Sequence, residues 1–419
     1  MTSKTSDNHN MKNAEKKLKK SPKKPAVKLS KKTIIYLISA FCGILLICGI
    51  CTGVHFYKKS IADRTVRIAF YGLSEDLVKL IKEKIPVEEK VILEYDLISD
   101  GDFDAGVIKQ KFDMLFTWRG EITDSLSASS EDIPQKVLET IPKSLRNKKC
   151  VPILLDNCEI AYSSEVLQKL GLEPSMSLND FVAYLNKAKG VVFSPFFCNG
   201  AEDRILIDFV GALVMAKGGL SSYNKLIEVL KTSDSLDDLL DEKLDGRELT
   251  LRSILDMLKT WPKEGYAHPA WFNGRGNDMV YFAEEKQLAC FFTLLTEHRK
   301  IAYSVVRNYE SSLVPSNQDA SNYGLIAPSV CAMLISDNSN AKRYIAGFFT
   351  EEAQTELSDK TMLAPVHYRA QAYDRQADDV RFWAASCAGG AVPDLYLAVY
   401  QRKSKELEKI CSEIRSYVR

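Results

Sequence analysis

The residues best suited to chemistry in this 419-residue chain do not gather into a catalytic set. Beyond residue 60 the histidines are His268, His298 and His367, and none stands at metal-ligand spacing from a second ligand pair. The Walker, H-E-x-x-H and G-x-S-x-G patterns are missing, and so is C-x-x-C beyond residue 60. The sequence therefore nominates no nucleophile, metal site or phosphate cradle, and no cofactor is expected. Seven cysteines lie beyond residue 60, at 150, 158, 198, 290, 331, 387 and 411. Cys150 and Cys158 could close a small loop, but an extended segment between them holds their Cα atoms too far apart, and buried free thiols are the default. Recognition chemistry remains. Tyr71 and Trp118 end the apolar runs TVRIAFY and FDMLFTW, and the loop WPKEGYAHPAWFNGRGND carries Tyr266, His268, Trp271, Phe272, Asn273 and Arg275. Aromatic planes stack on flat apolar faces while amides and guanidinium groups fix orientation, which is the chemistry of binding.

These residues need elements to hold them. Thr65–Tyr71 reads as a strand, Ser74–Ile85 as an amphipathic helix capped by Ser74, and Lys90–Tyr95 as a second strand. Phe103–Lys111 reads as a short helix and Phe112–Trp118 as a third strand. This β-α-β-α-β order predicts a parallel, doubly wound sheet with ligands beyond the carboxyl ends of its strands, where Tyr71 and Trp118 stand. Val151–Tyr162 reads as extended, followed by helices at Ser164–Leu170 and Leu178–Lys187, the second opened by the S-x-x-D signature of Ser177 and Asp180. Ala201–Leu258 is mainly helical. Its acidic run Ser235–Asp245 reads as a solvated face and lacks calcium-loop spacing. Asp278–Phe292 reads as helix then strand, Tyr323–Leu334 as extended, and helices are expected at Asn340–Leu357, Asp378–Ala385 and Lys403–Val418.

The charges are segregated. Residues 1–32 hold eleven lysines against Asp7 and Glu15, giving about +9, and too few apolar residues to bury a core. Thr33–Tyr57 follows, 25 residues without a charge, flanked by Lys31, Lys32, Lys58 and Lys59. Such a run exceeds the roughly 30 Å hydrocarbon core of a bilayer. The expectation is a disordered basic cytoplasmic tail (1–32), a single transmembrane helix (33–57) and a domain of residues 60–419 in the periplasm or outside the cell. Cys42, Cys48 and Cys51 keep a lipidated, cleaved start as the alternative. They follow Phe41, Ile47 and Ile50, where lipoprotein signals favour a small residue, so an uncleaved anchor in the inner membrane is preferred. Removing the tail and Lys58 and Lys59 from the chain's +1 leaves about −10 for residues 60–419, with no basic patch for nucleic acid.

Three blocks in this domain carry a family resemblance: VPILLDNCEIAYSSEVLQKLGLEPSMSLNDFVAYLNKAK, ILDMLKTWPKEGYAHPAWFNGRGNDMVYFAEEKQLACFF and NYGLIAPSVCAMLISDNSNAKRYIAGFFTEEAQTELSDKTMLAPVHYRA. In order and spacing they resemble the extracellular solute-binding proteins of ABC importers, the group that includes maltose- and other sugar-binding proteins. The chain departs from that pattern at Leu170, where sugar binders often have Ala, and near Glu285, where they have Gly. The resemblance implies an α/β, two-lobed fold of the periplasmic-binding-protein type 2 class. Lobe 1 would comprise about 65–152 plus 290–330 and lobe 2 about 158–285 plus 335–419, with crossings near Asp156 and Leu325–Leu334. It implies no enzymatic activity, a small solute (a sugar or oligosaccharide) and ABC-transporter permease subunits as partners. It places Tyr71, Trp118, Arg119, Asn157, Tyr162, Asn199, Trp271 and Asn273 in the cleft. A diverged ligand sensor or envelope scaffold with the same fold and no transport role is the competing expectation.

Overall fold

A computed structural model describes residues 30–62, 64–84, 90–99, 103–244 and 248–419. Nearly all of the expected disordered tail lies outside the described residues. The chain divides into two units, Met1–Asp63 and Arg64–Arg419.

The first unit is described as one helix, Lys31–Ala62. Ile35, Phe41, Leu45 and Ile47 are exposed on it, and nothing in its apolar stretch Ser39–Ala62 is buried. A helix apolar on every side has no soluble partner face, and this one is long and apolar enough to cross a membrane. The helix Asp203–Thr232 passes the same test of length and composition, but 78% of its apolar window is buried, which makes it a core helix of the second unit. That helix bends at Gly219, whose φ of 76° is open to glycine at little cost.

Twelve strands are described in the second unit: β1 (Thr65–Tyr71), β2 (Ile92–Ile98), β3 (Met114–Trp118), β4 (Val151–Leu155), β5 (Cys158–Ser163), β6 (Ser194–Cys198), β7 (Leu288–Leu294), β8 (Tyr309–Leu313), β9 (Leu325–Ile326), β10 (Ser329–Leu334), β11 (Ala364–Pro365) and β12 (Ala391–Val392). One six-stranded sheet runs β11-β4-β10-β3-β1-β2, a four-stranded sheet runs β6-β7-β5-β8, and β9 pairs with β12 alone. In the larger sheet β1 pairs parallel with β2 and β3, as the alternating start predicts, and β10 enters antiparallel between β3 and β4. In the smaller sheet β6 and β7 are parallel and β5 is antiparallel to β7 and β8.

The interleaving differs from the expected one. The stretch 288–313 supplies β7 and β8 to the β5 sheet, so it belongs with 158–285, while β10 and β11 rejoin the β1 sheet. LACFFTL is buried along its whole length, and a continuous apolar run marks a buried strand without saying which sheet receives it. Two helices replace the single one expected at Asn340–Leu357. Ser339–Gly347 ends at Phe348, and Thr350 caps a new helix, Glu351–Thr361, by accepting from the Ala353 amide at 3.1 Å. The Ser177 cap forms as read, its hydroxyl accepting from the Asp180 amide at 3.1 Å.

The chain crosses between the sheets at Asp156 and Asn157, directly after β4. The Asp156 amide donates to Pro328 O at 2.7 Å, so the outgoing crossing is bonded to the return segment just before β10.

Candidate binding cleft

β3 delivers Trp118 to the carboxyl end of the larger sheet. There it lines a cavity of about 280 Å³ with Leu77, Leu80, Leu363, Thr296 and Lys360. Leu77 and Leu80 come from the helix Glu75–Lys84, begun by Ser74, whose Oγ accepts from the Leu77 amide at 3.4 Å. Thr296 comes from the other sheet, two residues past β7. Both lobes therefore contribute walls. Most of the lining surface is apolar, although Ser74, Asp76, Thr296, Thr361 and Lys360 add polar groups. An indole, three leucines and a few hydroxyls suit a small amphipathic solute.

Arg119, the next residue, acts as a strut. Its guanidinium donates to Ala391 O on β12 and its amide to Ser329 O at 2.8 Å. Asn157 lies in the crossing, fully buried, with both amide atoms lacking a hydrogen-bond partner in the chain. Asn199, just past β6, is buried with an unpartnered Oδ1. Asn273 is exposed and borders a separate cavity of about 300 Å³.

Three of the eight expected cleft residues are packed inside a lobe. Tyr71 is 4% exposed, with its ring edge-on to Phe103 at 5.2 Å, because strand alternation turns it onto the face covered by the helix Ala105–Lys111. Tyr162 packs against Tyr184 at 5.3 Å and Phe181 at 6.2 Å in the core of the smaller sheet. Trp271 is 0% exposed, edge-on to Phe209 at 5.9 Å. These rings supply core area. The eight residues do not converge on one site: Trp118 and Asn273 line different cavities, and Arg119 and Asn157 hold the junction. Sequence reading missed Thr296, Leu77 and Leu80. The leucines read as the core face of an amphipathic helix, and the only signal for Thr296 is its place past a strand end.

A buried polar cluster on β5 merits a chemical test. His298 Nδ1 lies 2.7 Å from Glu159 Oε1 and 3.1 Å from Ser311 Oγ, and Ser311 also donates to Glu159 at 2.7 Å. A nucleophilic triad needs the carboxylate on one imidazole nitrogen and the hydroxyl on the other. Here both sit on Nδ1 while Nε2 is buried without a partner, so the hydroxyl is not activated. Gln376 donates to both Glu159 oxygens at 3.1 Å, tying the helix Arg375–Ser386 to this sheet. Among the described residues no cluster of three His, Cys, Asp or Glu side chains is arranged to hold a metal ion. The described cysteines are all free thiols, Cys150 and Cys158 included.

A second buried cluster brackets the crossing. Arg204 bonds Asp394 at 2.8 Å and lies 3.7 Å from Asp208, and Asp156 is close by. Burial pushes Asp208 well above the usual carboxylate range, and the adjoining charge of Asp394 adds to the shift. Burial raises Asp156 in the same direction.

No family model matches the chain, and no curated protein matches it in sequence. Solved structures do match it in fold. MsmE from Bacillus subtilis subsp. subtilis str. 168, described as a binding protein and solved in an open conformation, superposes with a TM-score of 0.65 at 13% identity, over 85% of this chain and 93% of that one. The bacterial solute receptor AcbH, described as exclusive for β-D-galactopyranose, gives 0.66 at 11% identity over 84% and 96%. A sugar transporter protein from Bacillus licheniformis, solved with stachyose, gives 0.51 at 12% identity over 84% and 100%. The chain thus has the mixed α/β, two-lobed fold of solute-binding proteins. All three are described as binding or transport proteins, and two of them with a sugar, AcbH with β-D-galactopyranose and the Bacillus licheniformis protein with stachyose.

Proposed function

We propose that this chain is a membrane-anchored, extracytoplasmic solute-binding protein that captures a sugar or oligosaccharide for an ABC transporter. The observation that carries the reading is the cavity at Trp118, walled by β3 and the helix Glu75–Lys84 from one lobe and by Thr296 from the other. A solute held there touches both lobes, and such a contact favours a closed arrangement over an open one. The sugar ligands of the neighbouring folds support the solute class. The exposed apolar helix Lys31–Ala62 and the lysines preceding it support an anchor with the N-terminus cytoplasmic.

Thermal shift against a sugar, polyamine and peptide panel tests the reading. It expects stabilisation by one or more saccharides that is reduced in Trp118→Ala, and stabilisation by polyamines or peptides alone would sink the sugar assignment. One observation favours a ligand sensor or envelope scaffold instead: Tyr71, Tyr162 and Trp271 are all buried, leaving one indole in the cleft. Pull-down from membranes separates the two, since transporter permeases co-purify only under the first.

A further inference from the structure

The pocket beside Asn273 is independent of the cavity at Trp118. It lies on one lobe, between the end of β6, the loop 268–275 and the helix Gly276–Glu284, and has a volume of about 300 Å³. Phe197 forms its floor. Gly274 passes so close to that ring that a Cβ would fall 2.2 Å from it, so glycine lets the loop sit on the aromatic surface. The His268 and Phe282 rings pack against each other at 5.1 Å and both line the pocket. Phe193 and Tyr281 extend the aromatic surface outward, 68% and 56% exposed.

Around this surface the polar atoms are open. His268 Nδ1 accepts from the Ala270 amide at 3.1 Å, which assigns the ring proton to Nε2 as a free donor. Burial lowers the His268 pKa against the pull of Asp278, so the ring is neutral at neutral pH. Asp278 spends Oδ2 on the Arg275 amide at 2.9 Å and keeps Oδ1. No lysine or arginine is among the described residues lining the pocket, and Asp278 repels an anion.

We infer that this pocket is a second ligand site, for a single neutral pyranose ring. The apolar C–H face of a pyranose stacks on aromatic planes. Its hydroxyls both donate and accept, which matches a carboxylate, an imidazole N–H and the Asn273 amide set at the rim. The volume holds one ring. The site needs no closure of the lobes and stands whether or not the cleft at Trp118 serves transport.

The test uses the full chain in a detergent without a sugar headgroup, carrying Trp118→Ala so that binding in the cleft is weakened. Saturation-transfer NMR with methyl β-D-galactopyranoside and methyl α-D-glucopyranoside reads binding, with choline as a comparison. At least one pyranoside is expected to bind. Tyr281→Ala and Asp278→Asn are each expected to weaken it by about tenfold, the loss of one stacking or charge-assisted contact, with unchanged melting temperatures. Both side chains are exposed, and Asp278→Asn keeps a side-chain oxygen to accept from the Arg275 amide, so folding is preserved. No pyranoside binding, unchanged affinity in both variants, or binding of choline alone would overturn the inference.

Discussion

Thr296 donates its hydroxyl to Asp156 Oδ2 at 2.6 Å and its amide to Asp156 Oδ1 at 3.1 Å, fastening the end of β7 to the crossing between the lobes. Asp156 is 1% exposed, so its carboxylate depends on these donors, on the Asn157 backbone N–H at 2.8 Å and on the nearby Arg204 charge. Thr296→Val keeps the side-chain volume and removes one donor. It is expected to cost about 1–3 kcal/mol in denaturant unfolding at neutral pH, the range for a buried acceptor left short of a partner. Burial already raises Asp156, and removing a bond that lowers it raises it further. The cost should therefore shrink as pH falls and the carboxyl keeps its proton. A pH-independent cost would mean that Asp156 does not titrate through this contact.

A second pH effect comes from Asp208, raised by burial and by the charge of Asp394. A folded-state value above the unfolded one means that the native chain holds the proton more tightly. The stabilisation is complete below the unfolded value and is lost as pH rises through the folded one. The groups facing Asp208 include Arg204, Asp394, Cys158, Cys198, Tyr223 and Cys411. Asp208→Asn retains an oxygen for the Tyr396 amide, from which Asp208 accepts at 3.0 Å, and carries no charge. The variant is expected to flatten the decline in melting temperature as pH rises above the usual carboxylate range, and to match or exceed the parent at the alkaline end. Glu165 has the opposite sign and does not interfere. Lys169 and Lys286 hold it at about 2, so its contribution fades only as pH falls below the usual carboxylate range.

Trp118 and Trp271 looked alike as cleft aromatics, and their burial now separates them. Trp271→Phe is expected to lower stability by about 1–3 kcal/mol through lost packing against Phe209 and to leave saccharide affinity within about twofold. Trp118→Ala is expected to reduce cleft affinity about tenfold or more. Isothermal titration beside thermal melting checks both, and a selective affinity loss in Trp271→Phe would return that residue to the cleft.

The legible and illegible parts divide along physical lines. Local signals carried far: the β1–β3 alternation and the Ser74 and Ser177 caps appear where period and capping chemistry put them, and the crossing near Asp156 appears where the family resemblance implied it. Sheet membership did not carry, because β7 is apolar on both faces and reads the same in either sheet. Side-chain direction at strand ends was also hidden. Tyr71 and Trp118 both close apolar strands, but only the indole clears the helices packed beside it. Thr296 was invisible for a further reason: its partner Asp156 is 140 residues away along the chain.

Gly219 gives the sharpest test of the bend in the long core helix. Its φ of 76° lies where side chains are strained, and an added Cβ would meet Asn322 Nδ2 at 2.2 Å and Asn322 O at 2.7 Å. The side chain of Asn322 can turn aside, but its backbone carbonyl cannot without moving the segment before β9. Gly219→Ala therefore adds a strained backbone and a clash with main chain, and is expected to destabilise by about 1–3 kcal/mol. Gly218→Ala, next door, has no positive φ to satisfy, although its Cβ would meet Ser222 Oγ at 2.3 Å, Leu249 Cδ2 at 2.4 Å and Ser222 Cβ at 2.6 Å. It should cost less in the same melts, and equal costs would mean that the bend is not what Gly219 provides.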